Sequence, residues 1–183
     1  MTLKEYRQKR RSGRSPEPRG GRRRGSRKQP HFVIQHLAAS TDHYDFRLEI
    51  DGVLVSWAVP KGPSTNPKDK RMARRTEDHP MDYEKFEGVI PEGEYGAGRV
   101  IVWDRGTYAS DRDMADGLER GHLSFRLDGE KLHGGYALTR LRQGKDEAWL
   151  LVKRADDDGD ARRKPVRSQP ESVLSGRTLD ELS

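Results

Sequence analysis

His43, Asp45 and Arg47 stand two apart in the run His43-Tyr44-Asp45-Phe46-Arg47-Leu48-Glu49-Ile50. In a β-strand that spacing sends all three, with Glu49, to one face and Tyr44, Phe46, Leu48 and Ile50 to the other. An imidazole beside a carboxylate can converge on one divalent ion. Arg47, ~6–7 Å further along the same face, offers a planar fork that takes two phosphate oxygens at once. Metal ligands beside a phosphate clamp are the parts of a phosphoryl-transfer site. The competing reading is a solvated strand face on which Asp45 and Arg47 merely pair.

Further groups bear on that choice. Of the six histidines, His36 precedes His43 by seven residues, where a loop can bring it back as a third ligand. Two imidazoles and a carboxylate leave roughly three positions of an octahedral ion for water and a phosphate oxygen. His79 sits between Asp78 and Pro80 on a loop stiffened by the proline, and Tyr83 follows at one-turn spacing. Both suit the donor needs of phosphoryl transfer. Taken singly, each also reads as structural: a loop-capping histidine and a packing tyrosine. Gly93, Gly96 and Gly98 lack the Gly-Lys-Ser/Thr ending of a phosphate loop and read as tight turns. No nucleophile elbow or dinucleotide fingerprint is present.

The elements that must position these groups are short strands. Phe32-Val33-Ile34-Gln35, the His43 strand, the Asp51-Gly52 hairpin turn and the nearly all-apolar run from Val53 to Val59 open the series. Residues 99–104, 123–127, 136–141 and 149–153 continue it, with a brief helix at 114–119. Residues 64–86 are polar and read as irregular. The pattern indicates a sandwich or a barrel, and the alternation on the His43 strand favours a mainly β fold with a compact small barrel, a polar active-site cavity and short flanking helices. The predicted domains are a flexible basic arm over 1–30, with a helix inside 2–12, a barrel over 31–154, and a disordered tail over 155–183.

Charge is distributed unevenly. The 183 residues carry a formal +6, but residues 1–30 hold +10 and residues 31–183 hold −4. A basic arm on a mildly acidic body suits nucleic-acid phosphates, the alternative being a solubilising or targeting tail. The absence of cysteine excludes disulfides and thiolate metal sites. No apolar run reaches the ~20 residues of a membrane helix. A cytoplasmic, nucleoid-associated monomer is expected.

Longer motifs carry a resemblance. Phe32-Val33-Ile34-Gln35, His43 through Glu49, Asp51-Gly52-Val53-Leu54 and Ser56-Trp57-Ala58-Val59-Pro60-Lys61-Gly62-Pro63 resemble the 3′-phosphoesterase domain of bacterial DNA ligase D. Glu77-Asp78-His79-Pro80, Phe86-Glu87-Gly88 through Gly98, and Trp103-Asp104-Arg105-Gly106-Thr107-Tyr108 do too. The resemblance covers about residues 1–153 and marks a stand-alone member. It implies manganese-dependent healing of DNA or DNA–RNA 3′ ends: a diesterase step removes a terminal ribonucleoside, then a monoesterase step removes the 3′-phosphate. Other divalent metals remain open, and a separate ligase, polymerase or Ku end-binding protein is an implied partner. It also implies roles by position. His43 and Asp45 bind metal, and Arg47, His79 and Tyr83 act on the phosphate. Gln35, Lys61, Arg71 and Glu77 support them, and Arg10 and Glu17 in the arm serve the diesterase step.

Two positions depart from the family pattern. The usual first metal-binding histidine falls where Leu37 stands, with His36 one residue earlier. A one-residue shift reverses the face of a strand, so the expectation of His36 as third ligand requires a bulge or loop. Arg11 replaces a usual acidic residue, which bears on the diesterase step. The rival expectation is a DNA-end-binding module without catalysis that recruits repair partners.

Overall fold

The strand expected at His43–Ile50 runs over Asp42–Ile50, and behind it Asp51 and Gly52 both have positive φ, 53° and 81°. Two successive left-handed residues are what a type I′ two-residue hairpin requires. The computed structural model describes residues 3–10, 15–18 and 29–182. In chain order they form α1 (Lys4–Gln8), β1 (His31–Ala38), β2 (Asp42–Ile50), β3 (Val53–Val59), β4 (Lys70–Arg75) and β5 (His79–Pro80). A 3-10 turn at Met81–Lys85, β6 (Gly88–Ile90), β7 (Gly98–Ala109), α2 (Met114–Arg120) and β8 (His122–Gly129) follow. The order ends with β9 (His133–Arg142), β10 (Ala148–Lys153), α3 (Pro165–Ser168) and a 3-10 turn at Leu179–Glu181.

Eight antiparallel strands close a barrel in the order β1-β2-β3-β4-β10-β9-β8-β7 and back to β1. This is the mainly β barrel that the strand pattern predicts. The segment read as irregular, 64–86, contains β4, whose pairing with both β3 and β10 closes the ring. Strand alternation fills the interior with apolar groups: Tyr44, Phe46, Leu48 and Ile50 of β2 meet Phe32, Trp57, Trp103, Phe125 and Trp149. The three indoles are fully buried, and truncating one to Ala costs about 3–5 kcal/mol.

The opposite faces of β1, β2 and β3 point out of the barrel yet are largely covered. Val33 and Leu37 of β1, Leu54 of β3 and Val100 and Val102 of β7 form a second, smaller core. Tyr6 of α1 and Met81, Tyr83, Phe86 and Ile90 cover it. The polar cavity therefore lies between the outer wall and this cover, not in the lumen.

The C-terminal expectation is corrected. Residues 155–182 do not form a disordered tail but run along the barrel. Val173 N–H donates to the Val102 carbonyl at 2.9 Å, and Trp103 Nε1 and Lys131 Nζ donate to the Gln169 carbonyl at 2.7 and 2.8 Å. Pro165, Ser172 and Leu179 are buried. The segment is polar in composition, but the wall takes up its backbone groups, which composition does not register. The described parts of the arm, 3–10 and 15–18, likewise pack on the barrel; residues 11–14 and 19–28, with Arg11 and Arg22–Arg24, lie outside the described residues.

Candidate active site

Period-2 geometry on β2 brings His43, Asp45 and Arg47 to one face, as the spacing predicts. His43 Nε2 lies 3.2 Å from Asp45 Oδ1, and Arg47 Nη2 donates to Asp45 Oδ2 at 3.1 Å. Asp45 is held below the usual carboxylate range: burial opposes ionisation, but the charges of Arg47 and His43 outweigh it. His43 is raised, because the hydrogen bond and charge of Asp45 overcome its burial.

Arg47 is 2% exposed, so each N–H needs a partner. Besides Asp45, its Nε donates to Gln35 Oε1 at 2.7 Å and Nη1 to Ser56 Oγ at 2.8 Å. Gln35 passes the restraint on, donating from Nε2 to the carbonyls of Tyr83 at 2.9 Å and Phe86 at 3.1 Å. One glutamine thus fixes both the guanidinium and the turn that bears Tyr83.

His79 Nδ1 lies 2.9 Å from the carbonyl oxygen of Glu77. A carbonyl only accepts, so Nδ1 carries the proton and Nε2 keeps its lone pair in the neutral ring. The neutral form is enforced: burial, then the charges of Arg47 and Arg10, push its pKa well below 6.5. The rings of His79 and Tyr83 meet edge-on at 4.6 Å, and Arg47 sits 4.9 Å over the Tyr83 ring.

The arm completes the site. Glu17, 5% exposed, accepts a short hydrogen bond from the Tyr83 hydroxyl and one from Arg10 Nε at 2.9 Å. Arg10 Nη1 and Lys9 Nζ then reach the two oxygens of Glu77 at 3.3 and 3.1 Å. Tyr6 of α1 packs its ring 4.8 Å from His79. Burial and the Glu17 charge hold Tyr83 well above its ordinary pKa. Its one proton is committed to the arm.

These groups line a cavity of about 510 Å³ that includes Arg10, Glu17, His43, Asp45, Arg47, Glu77, His79 and Tyr83. Four expected residues do not line it: Gln35, which reaches it only through its bond to Arg47, and three that are set elsewhere. His36 is on the opposite face of β1, stacked on Tyr44 (ring centroids 4.1 Å apart) with Nε2 2.7 Å from Asp42 Oδ1. The bulge that would turn it does not exist: β1 and β2 keep register from Phe32↔Leu48 to Ala38↔Asp42. The irregularity lies on β7, where Trp103 is the extra residue between the partners of Ile34 and Gln35. Leu37 faces the cavity instead, directly across from His43. Among the described residues no group of three His, Cys, Asp or Glu is placed to hold a metal ion. Lys61 and Arg71 line a different cavity.

Tyr95 is the residue that motif reading missed. It is exposed at the cavity rim, with Lys9 Nζ 4.7 Å and Arg10 5.3 Å from its ring centre. Its glycine-rich surroundings signal a turn, and only the arm's approach reveals the contact.

A family model for the DNA Ligase D 3′-phosphoesterase domain matches residues 35–140. That span contains the whole β2 face together with Gln35, Glu77, His79 and Tyr83. The chain belongs to this family. It is 51% identical over 181 residues to the multifunctional non-homologous end joining protein LigD of Pseudomonas aeruginosa, covering 97% of this chain and 22% of that protein. It is 47% identical over 148 residues to the multifunctional non-homologous end joining DNA repair protein LigD of Mycobacterium tuberculosis, covering 81% and 19%. With LigD of Mycolicibacterium smegmatis the identity is 41% over 161 residues, covering 84% and 21%. The chain spans about a fifth of the length of these curated relatives. In this member of the phosphoesterase family the outer β2 face carries His43, Asp45 and Arg47, and Leu37 stands on the wall facing His43. No helix among the described residues is long and apolar enough to cross a membrane.

Proposed function

We propose that the chain is a metal-dependent DNA 3′-phosphoesterase that prepares 3′-OH ends for non-homologous end joining. What supports this reading is one observation: Arg47, His79 and Tyr83 converge with the His43–Asp45 pair on a single cavity in a chain of the LigD phosphoesterase family. His43 and Asp45 present two donors of the kind that bind Mn2+ and similar ions. They fit a loosely held ion whose other positions go to water and substrate. When bound, such an ion withdraws charge from a phosphate oxygen.

The chain's own groups do the rest. Arg47 has three N–H bonds committed to protein and two left for equatorial phosphate oxygens. Its fixed geometry means no reorganisation cost at the moment of reaction. His79, neutral with Nε2 free, serves as a base toward the attacking water rather than as a resting acid. Glu17 and Glu77 are acceptors at the cavity edge. A terminal ribose presents hydroxyl donors to them, whereas a 3′-phosphate presents only acceptors. The arm therefore favours the ribonucleoside end, and with it the diesterase step. Partner ligase, polymerase or Ku proteins belong to this proposal, as does action as a nucleoid-associated monomer.

The misplaced third ligand favours a second reading, a weakly catalytic module that holds DNA ends. Phosphate release from a 3′-phosphorylated primer with manganese, then with chelator, separates the two. Release that chelation abolishes supports the esterase; tight end binding without release supports the module.

A further inference from the structure

We infer that the cavity holding Lys61 and Arg71 is a second nucleic-acid site, which grips backbone phosphates of the DNA away from the end being processed. The inference rests on the phosphoesterase reading for its substrate. The cavity, about 590 Å³, lies between the β3–β4 loop and the chain after β10. Five cationic residues line it, Lys61, Arg71, Arg163, Lys164 and Arg167, against one carboxylate, Asp69. Residues 31–183 carry a net −4, so this is a local inversion of sign.

Most of that charge is uncommitted. Arg163 Nη2 is spent on the Lys131 carbonyl at 2.5 Å and Gln169 Oε1 at 2.8 Å. Asp69 accepts from Ser64 Oγ at 2.6 Å and lies 3.6 Å from Arg71 Nη2. Lys61, Lys164 and Arg167 make no ion pair with any described residue. The Nε of Arg71 is buried without a hydrogen-bond partner, a donor that a phosphate oxygen would satisfy.

The walls are fixed in advance. Thr65 Oγ1 donates to the carbonyls of Asp160 at 2.7 Å and Arg163 at 2.9 Å, and Asp160 N–H returns to the Thr65 carbonyl at 2.8 Å. Val166 presses into the space left by Gly62, where a Cβ would meet Val166 Cγ1 at 2.8 Å and Tyr44 at 2.9 Å. A preformed cationic cleft binds with little ordering cost. No aromatic residue lines it, so it lacks a platform for a stacked base and suits a backbone over a free nucleotide. It also adjoins the active site. Pro60 lines one cavity and Lys61 the other; Arg74 and Arg71, ~10 Å apart along β4, divide in the same way.

The test uses the double variant Lys164→Gln/Arg167→Gln, two exposed positions outside the catalytic cavity, with unchanged melting as the folding control. Affinity for a long 3′-phosphorylated duplex should fall about tenfold at low salt, and the slope of log affinity against log salt should flatten by about two. Turnover of a 3′-phosphorylated dinucleotide should not change, and Arg167→Lys should behave as wild type. An unaltered salt slope overturns the inference, as does a cavity that takes inorganic phosphate while duplex affinity stays as in wild type. If the wild type releases no 3′-phosphate but the double variant still loses duplex affinity, the esterase reading fails and the second site stands.

Discussion

Arg47 and Gln35 sit on neighbouring strands, and their 2.7 Å hydrogen bond links the guanidinium, the proposed phosphate clamp, to the turn carrying Tyr83. Gln35→Ala would leave a buried guanidinium N–H unpaired and free the turn at once. Losing such a partner costs about 1–3 kcal/mol, so 3′-phosphate release should fall roughly tenfold or more. Gln35→Glu, which keeps the acceptor but loses both donors to Tyr83 and Phe86, should recover only part. Steady-state kinetics of the two variants, read against Arg47→Lys, check this; full activity in Gln35→Ala removes Gln35 from the site's support.

Leu37 and His43 are direct cross-strand partners facing one cavity, with Cβ atoms about 4.5–5.5 Å apart. Leu37→His should add the third donor and lower the manganese concentration needed for half-maximal release by about tenfold. His36→Ala should leave that titration unchanged, because its ring faces Tyr44. A shifted manganese titration in His36→Ala would contradict the assignment of faces.

The neutral state of His79 has a defined pH signature. Its folded pKa lies well below 6.5, so the acid limb of kcat/KM should appear below the ordinary imidazole range. Linkage gives the sign for stability. Below 6.5 the unfolded chain binds a proton at His79 that the folded chain refuses, so stability falls as pH drops from 6.5 toward the depressed value. Above 6.5 this group contributes no pH dependence. Denaturant unfolding near pH 7.5 and pH 5.5 should show a smaller difference in His79→Gln than in the wild type.

Glu77 holds Lys9 and Arg10 of the arm at 3.1 and 3.3 Å. Glu77→Gln should loosen the arm, so that trypsin cleaves after Lys9 and Arg10 several-fold faster under native conditions. The diesterase step should fall more than the monoesterase step, since Glu17 loses its Arg10 partner while Arg47 and His79 keep theirs. An equal fall in both steps would place Glu77 in the shared chemistry instead.

Much of this protein was legible in the residues because strand periodicity is local. Alternation from His43 to Ile50 set one apolar and one polar face, and Asp51-Gly52 set the turn behind it. The series of short strands marked an all-β fold for the same reason, while closure into a barrel waited on β4. Part of the motif set that carries the family resemblance lies on these elements, and the rest on the connecting loops. Polar β4, Lys-Arg-Met-Ala-Arg-Arg, was not legible, because its strand state comes from pairing with β3 and β10 rather than from its own pattern. The same holds for residues 155–182, whose backbone groups find partners only once the wall exists. Which face His36 takes depended on whether β1 bulges, and the unbroken β1–β2 register decided it. The protonation of His79 likewise required tertiary structure, since burial and two guanidinium groups from distant positions, Arg47 and Arg10, set it together. Sequence spacing fixes which side chains share a face; only the closed barrel and its cover decide which of those faces meets water, a phosphate or another part of the chain.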